Sequence, residues 1–175
     1  ASPYHSDKSG TRIAVARSAA ASLNHPFLLA NQVGGNDDLL FDGRSIIAWP
    51  DGRAVVAPAW TEGVLITDLS NPEDCSWLGE GDLKILGSGQ ELEETEDDLL
   101  DAIITGLSDY CRKSGISKIV LGLSGGIDSA LAACIASSAV GPENVTGISM
   151  PSRHSSQHSI DDAKATADAL GINFQ

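Results

Sequence analysis

The stretch LGLSGGIDSALAAC, residues 121–134, joins an apolar run to a small-residue loop and the start of a helix. The apolar run ends at Ser124, two glycines follow, and Asp128 and Ser129 open a segment with the composition of a helix. In a parallel sheet, ligands bind beyond the carboxyl ends of the strands, where such a loop lies. Glycines let backbone amides approach an anion closely, and the amides of a helix start attract negative charge. The stretch therefore predicts an anion-binding loop.

Two features of the loop indicate which anion it binds. Asp128 would repel a phosphate unless Mg²⁺ bridged the two groups, so we expect this carboxylate to act through a metal ion. The loop lacks the Gly-Lys-Ser/Thr ending of a Walker loop, so no lysine is present to neutralise a transferring γ-phosphate. We therefore expect a pyrophosphate that leaves as a unit, with hydroxyl donors at Ser124 and Ser129. The alternative is a plain glycine-rich turn in which Asp128 caps the helix.

Periodicity predicts a helix and several strands in the first part of the chain. The helix covers 8–23, where apolar residues recur at steps of three and four. Apolar segments after it predict strands at 26–33, 44–49, 53–60 and 63–70, with a hairpin turn at Pro50-Asp51-Gly52. This part predicts buried β-structure with a helix in front of it.

The second part of the chain alternates helices and strands. A helix is predicted from about residue 98 to Gly115, followed by strands at 118–123 and 145–150 and helices at 128–139 and 158–170. This alternation is typical of a parallel, doubly wound sheet. The acidic, loop-rich segment between the two parts predicts domains at 1–70 and 98–175 and an acidic linker at 71–97.

Composition excludes several classes of protein. The net charge of −13 argues against nucleic acid as a partner, and no apolar run approaches the roughly 18 residues of a membrane span. Three widely spaced cysteines, Cys75, Cys111 and Cys134, argue against a disulfide framework or a zinc site and are typical of the cytoplasm. Because the chain starts without a methionine and ends where a strand begins, we expect an internal piece of a longer protein.

The loop also carries a resemblance to a known family. LGLSGGIDS resembles the signature loop of the ATP pyrophosphatases, which adenylate a carboxyl or carbonyl group and release pyrophosphate. The segment GISMPSRHSSQHSIDDAKATADALGI, residues 147–172, is similar to the second segment of NAD synthetases, except that His154 replaces a tyrosine. The resemblance implies Mg²⁺ at Asp128 and an ATP site formed by Gly122, Leu123, Ser124, Gly125, Gly126, Ile127, Asp128, Ser129, Met150 and Arg153.

The first part of the chain resembles a different domain of the same enzymes. SPYHSDKSGTR, followed by NQVGGNDDLLFDGRS, is similar to the later part of the nitrilase-like glutaminase domain of glutamine-dependent NAD synthetases. The implied fold class is α/β, with a partial nitrilase-like α-β-β-α sandwich followed by a doubly wound parallel-sheet domain of the adenine nucleotide α hydrolase type. Glutamine contacts are implied at Ser2 and Lys8, although Lys8 also suits a solvated helix start. The glutaminase Cys, Glu and Lys are expected before Ala1.

The resemblance implies a ligase as the full-length protein. ATP would adenylate nicotinic acid adenine dinucleotide, and ammonia from glutamine would displace AMP to give NAD. The implied partners are these small molecules and further copies of the chain, and we expect the 175-residue piece alone to be inactive. Two alternatives stay open, namely another amidating ATP pyrophosphatase and a non-catalytic nucleotide-binding module.

Overall fold

The chain forms two compact units, Ala1–Ala102 and Ile103–Gln175. The structure, a computed structural model, describes residues 1–6, 8–93, 95–150 and 157–175. The division falls inside a helix that begins in the first unit and ends in the second.

The first unit is built from one long helix and short antiparallel strands. Its elements are α1 (Lys8–Leu23), β1 (Phe27–Leu29), β2 (Val33–Asn36), β3 (Leu39–Asp42), β4 (Ile46–Ala48), β5 (Ala54–Val56), β6 (Gly63–Asp68), β7 (Asn71–Gly79) and β8 (Lys84–Leu86). Strands β1, β4, β5 and β8 form an antiparallel sheet in the order β1-β4-β5-β8, while β2 pairs with β3 and β6 pairs with β7.

Both faces of the two central strands of the four-stranded sheet, β4 and β5, are covered within this unit. On one face, Ile13, Ala16 and Ala20 of α1 pack against alternate residues of the sheet, because side chains along a strand point to opposite faces. On the other face, Ile47 and Val55 pack against residues that include Leu65 of β6 and Cys75 of β7. The central strands are therefore a buried middle layer, as their apolar sequence predicted, whereas Leu28 of β1 and Ile85 of β8 are more than half exposed.

Two predictions for this unit were wrong. Residues 71–90 were expected to be loop-rich, but β7 pairs with β6 and β8 completes the four-stranded sheet. The single strand predicted at 26–33 is divided between β1 and β2, which belong to different sheets. Strand pairing decides both cases, and local turn composition does not predict it. The functional domain limits at 70 and 98 stay a prediction.

A group of buried charges joins α1, the β3–β4 region and the start of the next helix. Arg12 donates to both oxygens of the Asp42 carboxylate. Arg44 donates to Oδ1 of Asp98, and its guanidinium also lies 3.6 Å from the Asp42 carboxylate. Oδ2 of Asp98 accepts from the backbone N–H of Thr95 at 2.8 Å. Two cations and two anions therefore neutralise one another in the interior, as buried charges require.

The second unit is a parallel α/β layer structure. Helix α2 (Glu96–Ser114) leads into β9 (Ile119–Gly122), α3 (Ile127–Val140), a 3₁₀ turn (Pro142–Asn144), β10 (Val145–Ile148), α4 (Gln157–Leu170) and β11 (Asn173–Phe174). The strands are parallel in the order β11-β10-β9. The core beneath them contains Leu123, Ala133, Ala136, Val145, Ala163, Ala167 and Ile172. These bounds agree with the sequence prediction to within two residues, and the predicted parallel α/β class is confirmed.

None of the helices in the described part of the chain has the length and apolar character needed to cross a membrane.

Candidate functional site

The predicted anion loop lies between β9 and α3, at the carboxyl ends of two parallel strands. β9 ends at Gly122, and the backbone N–H of Leu123 continues the pairing by donating to the Ile148 carbonyl of β10 at 2.9 Å. The Leu123 side chain is only 1% exposed and belongs to the core. Of the predicted ATP-site residues, Leu123 can therefore contribute backbone atoms only.

Helix α3 starts without a side-chain cap. Its N-cap is Gly126, with φ −86° and ψ 157° and no side-chain hydrogen bond, and the first helical bond runs from Ala130 N–H to the Gly126 carbonyl. An α-helix leaves the amides of its first turn without partners inside the helix, so they are available to an anion. Asp128 lies in this first turn, exposed, and is not the cap that the alternative reading required.

The two glycines of the loop have different surroundings. Gly125 has φ +76°, and a Cβ built on it would lie 2.3 Å from the carbonyl oxygen of Ser159 in α4. A Cβ on Gly126 would meet only the Ser124 hydroxyl, at 3.5 Å. The sequence assigned both glycines to anion access. The structure shows that Gly125 is needed for close packing of the loop on α4, and Gly126 faces open space.

A small cavity of about 220 Å³ opens beside the loop. It is lined by Gly122, Leu123, Ser124, Ile148, Ser149, Met150, Ser159 and Ile160. Met150, 76% exposed, and Ile127, 84% exposed, give the surroundings an apolar surface next to the polar loop. The structure thus brings four predicted residues together at the cavity: Gly122, Leu123, Ser124 and Met150. Arg153 and His154 lie outside the described residues.

The metal predicted at Asp128 stays a prediction, in which the Asp128 carboxylate is the protein ligand. No group of three or more His, Cys, Asp or Glu side chains able to hold a metal occurs among the described residues. Mg²⁺ in phosphate sites commonly takes only one or two carboxylates, and phosphate oxygens and water complete its coordination. An exposed carboxylate beside the helix amides fits an ion that arrives with a phosphate ligand.

The two predicted glutamine-site residues are neighbours in the first unit. Asn31 fixes the chain at Ser2, since its Oδ1 accepts from Ser2 N–H at 2.7 Å and its Nδ2 donates to the Ser2 carbonyl at 3.0 Å. Lys8, the first residue of α1, donates from Nζ to the Pro3 carbonyl at 3.3 Å. The Lys8 ammonium therefore lies against the same short segment, and its contact with glutamine stays a prediction.

Sequence reasoning missed the buried charge group of Arg12, Asp42, Arg44 and Asp98. No functional role was predicted from the sequence for the triplet Asp42-Gly43-Arg44 or for Asp98. The one available signal was apolar sequence on both sides of the triplet, which places a charged turn close to a buried sheet.

Comparison with known families divides the chain in the same order as the motifs. A model described as carbon-nitrogen hydrolase matches residues 5–73, and one described as NAD synthase matches residues 99–175. A glutamine-dependent NAD(+) synthetase of Synechocystis sp. is 43% identical over 181 residues, which cover 100% of this chain and 30% of that protein. The chain is a homologue of the glutamine-dependent NAD(+) synthetases. The same enzyme of Rhodobacter capsulatus is also 43% identical, over 99% of this chain and 30% of its own length.

Solved structures agree with this family. Glutamine-dependent NAD(+) synthetase from Acinetobacter baumannii, in complex with ADP, matches with a TM-score of 0.78 and 34% identity over 99% of this chain and 32% of that one. The synthetase from Cytophaga hutchinsonii, at 20% identity and a TM-score of 0.69, supports the fold alone. The predicted combination of a nitrilase-like part with an NAD synthase part is confirmed, and the chain spans about a third of the length of these relatives.

Proposed function

We propose that the full protein makes NAD by amidating nicotinic acid adenine dinucleotide, using ATP and ammonia released from glutamine. The proposal is supported by two family segments on one chain and by relatives, named for this reaction, that match it from end to end. The functional domains are 1–70 and 98–175, with the acidic segment 71–97 between them. The protein works in the cytoplasm, in line with three free cysteines, and as a homo-oligomer.

The observation that carries the proposal is the uncapped start of α3 behind the loop 124–129. Adenylation transfers AMP to the nicotinate carboxylate, and the leaving pyrophosphate gathers negative charge. Backbone amides around Gly126 and the positive end of α3 are in place to stabilise that charge. Mg²⁺, when bound with ATP, would neutralise part of the same charge, and Asp128 is the residue that would hold it. The step needs no protein nucleophile, and we assign none here.

Glutamine hydrolysis belongs to the first domain. Ser2 and Lys8 are the proposed contacts to glutamine, with Lys8 facing its carboxylate, since an ammonium pairs with an anion. The catalytic Cys, Glu and Lys are expected in sequence preceding Ala1, so the 175-residue chain by itself should be inactive.

The test is the substitution Asp128→Ala in the full-length protein, with Asp168→Ala, an exposed carboxylate of α4, as the matched control. Asp128→Ala should still hydrolyse glutamine but make no NAD, even with free ammonia, and Asp168→Ala should do both. NAD formation by Asp128→Ala at the wild-type rate would refute the assignment. A different amidating ATP pyrophosphatase would instead transfer ammonia to another acyl acceptor, which product analysis distinguishes.

A further inference from the structure

The two serine hydroxyls of the loop form hydrogen bonds with each other and with the backbone of the loop. Ser129 Oγ lies 2.9 Å from the Gly126 carbonyl oxygen, which can only accept, so the hydroxyl donates to it. A serine hydroxyl carries one proton. The single hydroxyl proton of Ser129 is therefore already used in a hydrogen bond within the loop.

The remaining contacts assign the proton of Ser124. Ser124 N–H donates to Ser129 Oγ at 3.2 Å, and the two hydroxyl oxygens are 3.1 Å apart. Because the Ser129 proton already points at Gly126, Ser124 must be the donor between the two hydroxyls. Gly126 N–H in turn donates to Ser124 Oγ, at a longer 3.4 Å. Ser129 thus bridges the end of β9 to the start of α3.

A bound anion needs hydrogen-bond donors. The hydroxyls of Ser124 and Ser129 differ in how readily each can donate its proton to the anion. Ser124, which is exposed, can turn its proton from Ser129 to a phosphate oxygen without releasing any backbone group. Ser129 could donate to the phosphate only by leaving the Gly126 carbonyl at the helix start. The sequence motif suggested equal roles for these residues, whereas the contacts separate them.

We propose that Ser129 is a positioning residue that holds the loop in its binding conformation, and that Ser124 is the hydroxyl that donates to the phosphates. This inference rests on the proposed ATP site and assigns the parts of two of its residues. Ser129 holds the amide of Ser124 and the carbonyl of Gly126 in place before a ligand binds. The effect of Ser129 on the loop must therefore be measurable in the ligand-free protein.

The experiment combines hydrogen exchange of the ligand-free protein with calorimetric titration of ATP and of pyrophosphate. The variants are Ser129→Ala, Ser129→Thr, which keeps the hydroxyl, and Ser124→Ala. Ser138→Ala, at an exposed position of α3, is the control for helix content. Ser129→Ala should speed exchange of the Ser124 amide by about three- to tenfold, the value of one lost hydrogen bond, and weaken both ligands. Ser129→Thr should restore slow exchange and affinity.

Ser124→Ala should weaken ATP and pyrophosphate binding by roughly tenfold or more, because a hydrogen bond to a charged group is lost. Its amide at position 124 should exchange as slowly as in the wild type. The proposal is overturned if Ser129→Ala weakens binding with exchange at Ser124 unchanged, or if Ser124→Ala binds both ligands like the wild type. A wild-type protein that binds neither ligand would refute the ATP site and the Ser124 assignment, while the exchange comparison would still decide the part played by Ser129.

Discussion

Replacing Gly125 by alanine should destabilise the second unit through its contact with α4. At φ +76° a residue with a Cβ is strained, which costs about 1–2 kcal/mol. The new Cβ would also lie 2.3 Å from the Ser159 carbonyl oxygen. That atom belongs to helix backbone and cannot rotate away, so overpacking adds about 1–3 kcal/mol. The sum, about 2–5 kcal/mol, is a large fraction of the roughly 5–15 kcal/mol that stabilises a typical protein.

Gly126→Ala is the matched control, one residue further along the same loop. Its φ of −86° suits alanine, and the nearest atom to the new Cβ is 3.5 Å away. Loss of a glycine N-cap should cost about 1 kcal/mol or less. Ligand binding should nevertheless fall in this variant, because the methyl group occupies the open side of the loop.

The assay must separate the two units. Trp49, Trp60 and Trp77 all belong to the first unit, so tryptophan fluorescence in urea reports on that unit alone. The second unit is followed by hydrogen exchange in 127–140 and 157–170. Gly125→Ala should speed exchange there by about thirtyfold or more and leave the fluorescence transition unchanged, since 1.4 kcal/mol corresponds to about a factor of ten. Equal exchange in Gly125→Ala and Gly126→Ala would refute the packing argument.

Three further predictions concern the first unit and α2. Asp98→Ala should leave buried Arg44 without its Asp98 partner and lower the free energy of unfolding by about 3–5 kcal/mol in fluorescence-monitored urea melts, whereas exposed Asp97→Ala should change it little. Partial desolvation of the carboxyl group, and then the charges of Asp98 and Asp97, raise the pKa of Asp101 above its usual value. Its ionisation therefore opposes folding, so Asp101→Asn should raise the melting temperature at pH 7 but not at pH 3. A Glu-specific protease should cut first between Gln90 and α2, since β7 and β8 are paired and Arg17 donates to the Gly87 and Gln90 carbonyls. A first cut at Glu62, next to β6, or at Glu73 in β7 would contradict this.

The second unit could be predicted almost completely because its signals are local. Apolar runs in β9 and β10 and the glycines that end helices each lie within a few residues of the element they define. The first unit was harder to predict. Pro72 and several glycines in 71–90 have the composition of a loop, yet Cys75 faces the sheet and the segment pairs with β6. Strand pairing, with the neighbouring β6 for β7 and with the more distant β5 for β8, outweighs the local loop composition of this segment.

The candidate site shows the same limit at the level of single residues. The sequence correctly predicted that the loop follows a buried strand and opens a helix. It could not predict that Gly125 meets Ser159, because that contact joins residues far apart in the chain. It also treated Ser124 and Ser129 as equivalent, since a motif gives residue types without the direction of their protons. Contacts within the fold therefore decide which members of the motif meet the ligand and which hold the loop.

The acidic run at the start of α2 shows how one residue can depart from the role that its composition predicts. Its first turn carries Glu96, Asp97 and Asp98, which are favourable there against the helix dipole. Dipole stabilisation operates at the surface, and Glu96 and Asp97 are exposed as expected. Asp98 is only 8% exposed because its carboxylate pairs with Arg44, whose own burial requires a counter-charge. The position of Arg44 therefore fixes which carboxylate of the run is buried, and a neutral residue at 98 would cost more stability than a neutral residue at Glu96 or Asp97.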